Sequence, residues 1–201
     1  MCDAVIIVGA FCEVIELCEA CGYTIVGCID NRQKNSYRDY PILGTDNDID
    51  KLINYRHIPL VITPDNPRLR KKLFDFYKNY DFSFKTLISP KATVSPSATI
   101  GVGAIIQAGV NISSEVYVGN FVKLNTNANV MHECKIGNFT TIAPNAVVLG
   151  RVCIGEEVYI GANSTILPEN EIKKGVIVGA GAVVTKSIMK EDSVVKGVPA
   201  R

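Results

Sequence analysis

The chain repeats itself every six residues over half its length. From Ile88 to Val184, seventeen successive positions spaced by six (88, 94, 100, 106 and onward) are all Ile, Val or Leu. Neither the 3.6-residue period of an α-helix nor the alternation of a half-buried strand produces this pattern. Six is the period of a hexapeptide β-helix. A second register, four residues after each aliphatic, holds mainly small or β-branched residues such as Ala92, Ala98, Ala104, Val110, Val116, Val122 and Ala128, with Asn170 as its misfit. Both registers are expected to point inward. Gly101, Gly119, Gly137 and Gly155 stand eighteen residues apart, and Gly161 and Gly179 repeat that step, so one coil takes eighteen residues. Three short strands then make a triangular coil, each coil about 4.8 Å above the last. Residues eighteen apart become vertical neighbours.

Before the repeats, the pattern changes to alternating strand and helix. An apolar run from Ala4 to Val8, ended by Gly9, reads as a first strand and turn. Helical spacing follows from Val14 to Cys21, then a second buried strand from Thr24 to Ile29 closed by Asp30. Asp46 is placed to cap a short helix carrying Ile49, Leu52 and Ile53. Ile58 to Ile62 reads as a third strand, and Pro67 opens a helix with an apolar face of Leu69, Leu73, Phe76, Tyr77 and Tyr80. This alternation predicts a Rossmann-like α/β domain over residues 1–86, followed by an all-β domain over 87–201. Ligands of such sheets lie at the carboxyl ends of the strands. Gly9, Asp30 and the loop near Asp65 meet there, and with Phe11 and Asn31 beside them they form the candidate substrate-binding set. The dinucleotide fingerprint is absent, because Ala10, Phe11, Cys12 and Glu13 follow Gly9 with no second glycine, which argues against an NAD-dependent dehydrogenase. Asp30 suits either a ribose or sugar hydroxyl or a plain turn.

Composition narrows the partners. With 21 basic and 20 acidic residues and no run of one sign, neither nucleic acid nor an anionic membrane is expected to bind. Arg70, Lys71 and Lys72 form the one small basic cluster, read as a solvated helix face in preference to a phosphate site. Without a secretory signal or a span of about twenty apolar residues, a cytoplasmic chain with reduced thiols is expected. Five of the seven cysteines precede residue 30, which matches neither a disulfide framework nor a zinc site. Cys18 and Cys21 form a CxxC that reads as helix core beside Val14 and Leu17.

One histidine stands in the repeats. His132 occupies an outward position two residues past Val130 and is followed by Glu133. A lone histidine cannot make a three-histidine metal site within one coil, so no metal is expected. Eighteen residues further is Gly150, which leaves the imidazole beneath a backbone that has no side chain. A free peptide N–H there can face a reacting carbonyl as an oxyanion donor, and histidine suits a base near neutral pH. Glu133 either raises its basicity or is simply solvated. Cys134 falls in the inward register and reads as core; Ser113 and Ser114 have no histidine beside them in sequence, although Ser114 lies one coil below His132.

The run Asn125-Thr126 to His132-Glu133-Cys134, then Ile136-Gly137, Ile142-Ala143-Pro144 and the ending Gly197-Val198-Pro199-Ala200 resembles the sialic acid O-acetyltransferase and bacillosamine N-acetyltransferase family. The first domain carries the likeness too, through Gly9-Ala10, Ile25-Val26-Gly27-Cys28-Ile29-Asp30 and Tyr40-Pro41-Ile42-Leu43-Gly44. The resemblance implies a left-handed β-helix and a homotrimer, with acetyl-CoA as co-substrate in a cleft between neighbouring coils. It implies His132 as general base, Glu133 as its helper and the Gly150 amide on the thioester carbonyl. Ala162 and Ala180, eighteen apart, match positions lining the coenzyme groove, and Thr141 stands where some relatives carry a second, coenzyme-contacting histidine. The loop after the first strand is about two residues shorter than the resemblance implies.

These readings converge on direct acetyl transfer from acetyl-CoA to an amino group of a nucleotide-linked amino sugar, with His132 taking the proton. O-acetylation of sialic acid or a related sugar, and a β-helix that binds without catalysing, are the alternatives. A transferase of another hexapeptide branch would not need the α/β domain.

Overall fold

The computed structural model describes residues 4–201; Met1 to Asp3, and with them Cys2, lie outside the described residues. The N-terminal unit is built on five strands, β1 (Ala4–Val8), β2 (Thr24–Ile29), β3 (Ser36–Tyr37), β4 (Tyr40–Gly44) and β5 (Leu60–Ile62), in the order β3-β4-β2-β1-β5. All neighbours pair in parallel except β3 with β4. The apolar runs of β1, β2 and β5 are buried, as expected of strands covered on both faces. β5 starts at Leu60, two residues later than its apolar run suggests. Pro59 has no N–H to give a ladder, and the Ile58 N–H is used by Tyr55 O at 2.8 Å.

Three helices complete this unit: α1 (Cys12–Ala20), α2 (Ile49–Leu52) and α3 (Pro67–Lys78). α1 begins two residues earlier than predicted, with extended Phe11 as its N-cap, so only Gly9, Ala10 and Phe11 separate it from β1. Asp46 opens the single 3₁₀ turn (Asp46–Asp48) that leads into α2 but does not cap it: Thr45 is the N-cap, and the carboxylate of Asp48 closes the cap by accepting from the N–H and hydroxyl of Thr45 at 2.8 Å each. On α3, Asn66 Oδ1 caps the Leu69 N–H at 3.0 Å, and Tyr77 is fully buried, but two expectations fail. Leu69 is 46% exposed, whereas Arg70, read as part of a solvated face, is completely buried. Its guanidinium finds backbone carbonyls that no pattern along the helix reveals.

The solenoid follows the arithmetic of its sequence. Strands of only two residues pair in parallel with those eighteen before and after, as in Asn111↔Asn129↔Val147↔Thr165↔Val183. They form three walls of six, five and seven strands. The final circuit shortens by one residue, Ile177 pairing with Val194. Both inward registers lie in one buried core running from Ala104 to Val184. Where the second register is polar the side chain bonds to nearby backbone: Thr140 Oγ1 to Gly155 O at 2.8 Å, Ser164 Oγ to Gly161 O at 2.7 Å, Asn170 Nδ2 to Leu167 O at 2.9 Å. Cys134 is core, as predicted.

A third register turns the corners. Ten non-glycine residues spaced by six, from Glu115 through Glu133, Phe139 and Arg151 to Glu169, have φ between 55° and 63°. That left-handed conformation is costly for such side chains. Each corner is held by the coil below, the N–H of Glu133 donating to Ser114 O, Arg151 to His132 O and Glu169 to Gly150 O, at 2.9–3.0 Å.

The α/β unit packs on the seven-stranded wall. Phe121 and Phe139 of adjacent coils stack on each other at 5.3 Å and meet Phe74 of α3 at 4.5 and 5.5 Å, with Phe84 closing the group. Phe84 also bridges to Leu60 beside β5, which carries the chain from one unit into the other. Cys18 and Cys28 are buried and unpaired in the core under α1.

Candidate active site

His132 follows the strand Asn129–Val130 of the six-stranded wall and turns the corner toward Lys135–Ile136 of the five-stranded wall. The left-handed backbone of Glu133 brings its carboxylate back against the ring, Oε2 lying 2.8 Å from Nδ1. Glu133 can only accept when ionised, so in the neutral imidazole Nδ1 carries the proton and Nε2 keeps a lone pair. The bond from His132, with Arg151 nearby, holds the Glu133 carboxyl below its ordinary range. Both side chains are 46% exposed, leaving the ring open to a reactant.

Gly150 lies directly over the ring. A Cβ built on it would stand 2.6 Å from both Cε1 and Nε2 of His132, so any other residue would fill the space above the imidazole. The Gly150 carbonyl accepts from Glu169, while its N–H has no acceptor among the described residues. The imidazole and a glycine whose N–H is not spent on another group thus lie next to each other at one corner of the coil.

The small-residue column lies elsewhere. Ala162 and Ala180 follow strands of the seven-stranded wall and lead into the six-stranded one, so they turn a different corner from His132. They are one above the other, Gly181 N donating to Ala162 O at 2.8 Å. Thr141 corrects an expectation. It is fully buried, its hydroxyl donating to Asp65 O at 2.7 Å and accepting from Arg70 Nη2 at 2.9 Å, so it faces the α/β unit and offers nothing to a coenzyme.

The five residues assigned to the acceptor do gather at the carboxyl ends of β1, β2 and β5. Gly9, Phe11, Asp30 and Asp65 line one recess of about 190 Å³, and Gly9 and Asp30 also line a second of about 400 Å³ together with Asn31, Arg32, Asp46, Leu69 and Leu73. Gly9 has φ 85°, and a Cβ there would strike Thr63 Oγ1 at 2.7 Å. Asp30 accepts three backbone N–H bonds, from Ala10, Arg32 and Gln33 at 2.7–2.9 Å. Burial pushes its carboxyl up, but those bonds outweigh burial and hold it below the ordinary value. Asn31 is tied to Asp46 by two bonds, at 2.7 and 3.0 Å. Among the described residues no group of three or more His, Cys, Asp or Glu could hold a metal ion, and no helix is long and apolar enough to cross a membrane.

The fold recurs in solved proteins. The acetyltransferase domain of PglB from Neisseria gonorrhoeae superposes with a TM-score of 0.91 at 30% identity, covering 99% of this chain and 98% of that one. The chain belongs to that acetyltransferase family. PerB from Caulobacter crescentus, solved with CoA and GDP-perosamine, matches with a TM-score of 0.91 at 32% identity over 98% of this chain and 96% of its own. WeeI from Acinetobacter baumannii matches at 0.85 and 26%, over 98% of both chains. The PglD N-terminal domain family matches residues 4–76, and the bacterial transferase hexapeptide family matches 115–150 and 134–168. No curated protein sequence matches significantly.

Several residues at the sites of this acetyltransferase escaped the sequence reading. Arg151 follows Gly150 and reaches one coil down to Glu133 at 3.5 Å and one coil up to Glu169 at 2.8 Å. Its signal was available as opposite charges eighteen apart. Arg32, which carried no pattern of its own, and Asp46, read only as a helix cap, line the recess at the strand ends.

Proposed function

We propose that this acetyltransferase moves the acetyl group of acetyl-CoA to the amino group of a nucleotide-linked amino sugar, with His132 as general base. The observation that carries the proposal is the open space between His132 Nε2 and Gly150, which a single Cβ would fill. The bound relative PerB, with CoA and GDP-perosamine, supports the substrate class, and a recess at the strand ends suits a nucleotide.

Acetyl-CoA supplies an activated acyl carbon. This chain's residues do the rest. Glu133 fixes the tautomer and orientation of the ring, Nε2 takes a proton from the nitrogen as it attacks the thioester carbon, the Gly150 N–H faces the carbonyl oxygen where charge develops, and the C–S bond then breaks, the proton on Nε2 passing to the departing coenzyme A thiolate. No covalent enzyme intermediate is required. General-base help of about 10² to 10⁴ and an oxyanion donor of about 3 kcal/mol account for part of the acceleration, and alignment of two bound substrates for much of the remainder. The coenzyme groove is assigned between two copies of a homotrimer, because Ala162 and Ala180 turn a different corner from His132 within one chain.

The test is thiol release from acetyl-CoA with a panel of UDP- and GDP-linked 4-amino sugars, free sialic acid and CMP-sialic acid. At least one amino sugar should be turned over, and His132→Ala should lower that turnover at least a hundredfold while still binding acetyl-CoA. A near-normal rate in the variant would overturn the role of His132, and exclusive turnover of a sialic acid would transfer the reading to O-acetylation.

A further inference from the structure

The side of the acceptor recess nearest the solenoid is one short stretch, Thr63-Pro64-Asp65. Its three consecutive carbonyls are all held by donors that belong to, or are anchored on, the coils. Thr63 O accepts from Lys123 Nζ at 2.8 Å, and Pro64 O from Arg70 Nη1 at 2.5 Å. Asp65 O accepts from Thr141 Oγ1 at 2.7 Å and from Arg70 Nη1 at 3.2 Å. Lys123 Nζ also pairs with Asp65 Oδ1 at 2.9 Å and lies 5.0 Å from the centre of the Phe11 ring. Arg70 spends its other donors on the solenoid, on Phe121 O at 2.8 Å, Phe139 O at 2.5 Å and Thr140 O at 3.1 Å. Thr63 Oγ1 in turn donates to Gly9 O at 2.6 Å, so the loop after β1 is coupled to the same stretch.

Both cations are completely buried. Burial pushes Arg70 down to about 10 and Lys123 below its ordinary value, with Asp65 opposing in each case. Apolar residues of the same volume would cover this surface at lower desolvation cost. What apolar residues would not supply is direction. A guanidinium fork spread over carbonyls of two folding units allows one docking geometry, since its donors are planar and rigid. Lys123 also lies on the coil that carries His132, nine residues earlier in the chain.

We propose that Arg70, Lys123 and Thr141 are positioning residues: a buried key that locks the Thr63–Asp65 wall of the acceptor recess to the catalytic coils, and so sets where the acceptor's reacting nitrogen lies. The proposal rests on the acceptor assignment made above. It assigns these three residues no contact with either substrate.

Two gentle variants test it. Lys123→Met keeps the stem and removes the donors, and Thr141→Val is close in shape and removes the hydroxyl. Each is compared with the wild type in steady-state transfer to a nucleotide-linked amino sugar and to the matching free 4-amino sugar, in calorimetric binding of coenzyme A, and in hydrogen exchange of the segment 60–69. The expected result for Lys123→Met is a kcat/KM at least tenfold lower for the nucleotide-linked acceptor, and less than threefold lower for the free sugar. Coenzyme A affinity should stay within twofold, and amide exchange should be faster at 65–66. Thr141→Val should move the same readouts in the same direction by less. An equal loss with both acceptors would mean general destabilisation and would overturn the key, as would unchanged exchange in both variants. If the wild type acetylates no nucleotide-linked sugar, the acceptor assignment fails, and the exchange measurement still decides whether these donors pin the wall.

Discussion

Replacing Gly150 by alanine tests the proposed catalytic corner with a single methyl group. The added Cβ would stand 2.6 Å from Cε1 and Nε2 of His132, against an ordinary separation of about 3.5–4.0 Å. The ring must therefore retreat by about 1 Å, a displacement that costs on the order of 10² in rate when it misplaces a catalytic group, or about 2.7 kcal/mol of barrier. Folding should be nearly indifferent. Gly150 has no left-handed φ, and the imidazole is a flexible, half-exposed end free to swing away, so stability should change by less than about 1 kcal/mol. The assay is acetyl transfer followed by thiol release, run as a double-mutant cycle with His132→Ala. Once the imidazole is gone, the same methyl group has nothing to displace, and Gly150→Ala should then cost less than about threefold. The reasoning is refuted if Gly150→Ala alone keeps near-wild-type turnover, or if its full penalty persists in the His132→Ala background.

Further outcomes follow from the same structure. The Asp30 carboxyl is held below its ordinary value, so its stabilisation is complete above the unfolded pKa of about 3.9 and is lost as pH falls through the lower folded value. Asp30→Asn should therefore flatten the acid side of a urea-unfolding series between pH 6 and 3, and an unchanged slope would contradict the bonding described. Burial pushes the Cys18 thiol up to about 12 and Cys28 up to about 11, whereas Cys153 is exposed. Iodoacetamide on native protein at pH 8 should label Cys153 and spare the other two until urea is added, as mass mapping of the labelled peptides would show. Phe121→Ala removes the ring shared by Phe74, Phe84 and Phe139 and should cost about 3–5 kcal/mol in equilibrium unfolding.

The solenoid was legible because its period belongs to the sequence itself. Aliphatics spaced by six declare the inward register, and the eighteen-residue step places Gly150 over His132 by counting alone. The corner register was not legible. Its occupants, Glu133, Phe139, Asn145 and Arg151 among them, share a backbone conformation and no side-chain chemistry. Arg70 misled for a related reason. Beside Lys71 and Lys72 it reads as surface, yet its partners are carbonyls of Phe121, Phe139 and Thr140, and a carbonyl is the same for every residue. Thr141 was misplaced because its likeness to a histidine position in relatives says nothing about which wall the α/β unit covers. Gly9, Phe11, Asp30, Asn31 and Asp65 lie near one another because strand ends of a parallel sheet converge whatever side chains they bear.

Stacking by eighteen makes length itself part of the proposed catalytic design. One whole extra circuit inserted beyond Gly150 would heighten the prism and leave the ceiling over the imidazole in place. The same insertion between His132 and Gly150 would raise that glycine by one storey, about 4.8 Å, and give the ring a different residue overhead. In this fold, two groups meet because of how many residues separate them, and an insertion can disarm the enzyme without altering a single side chain at its centre.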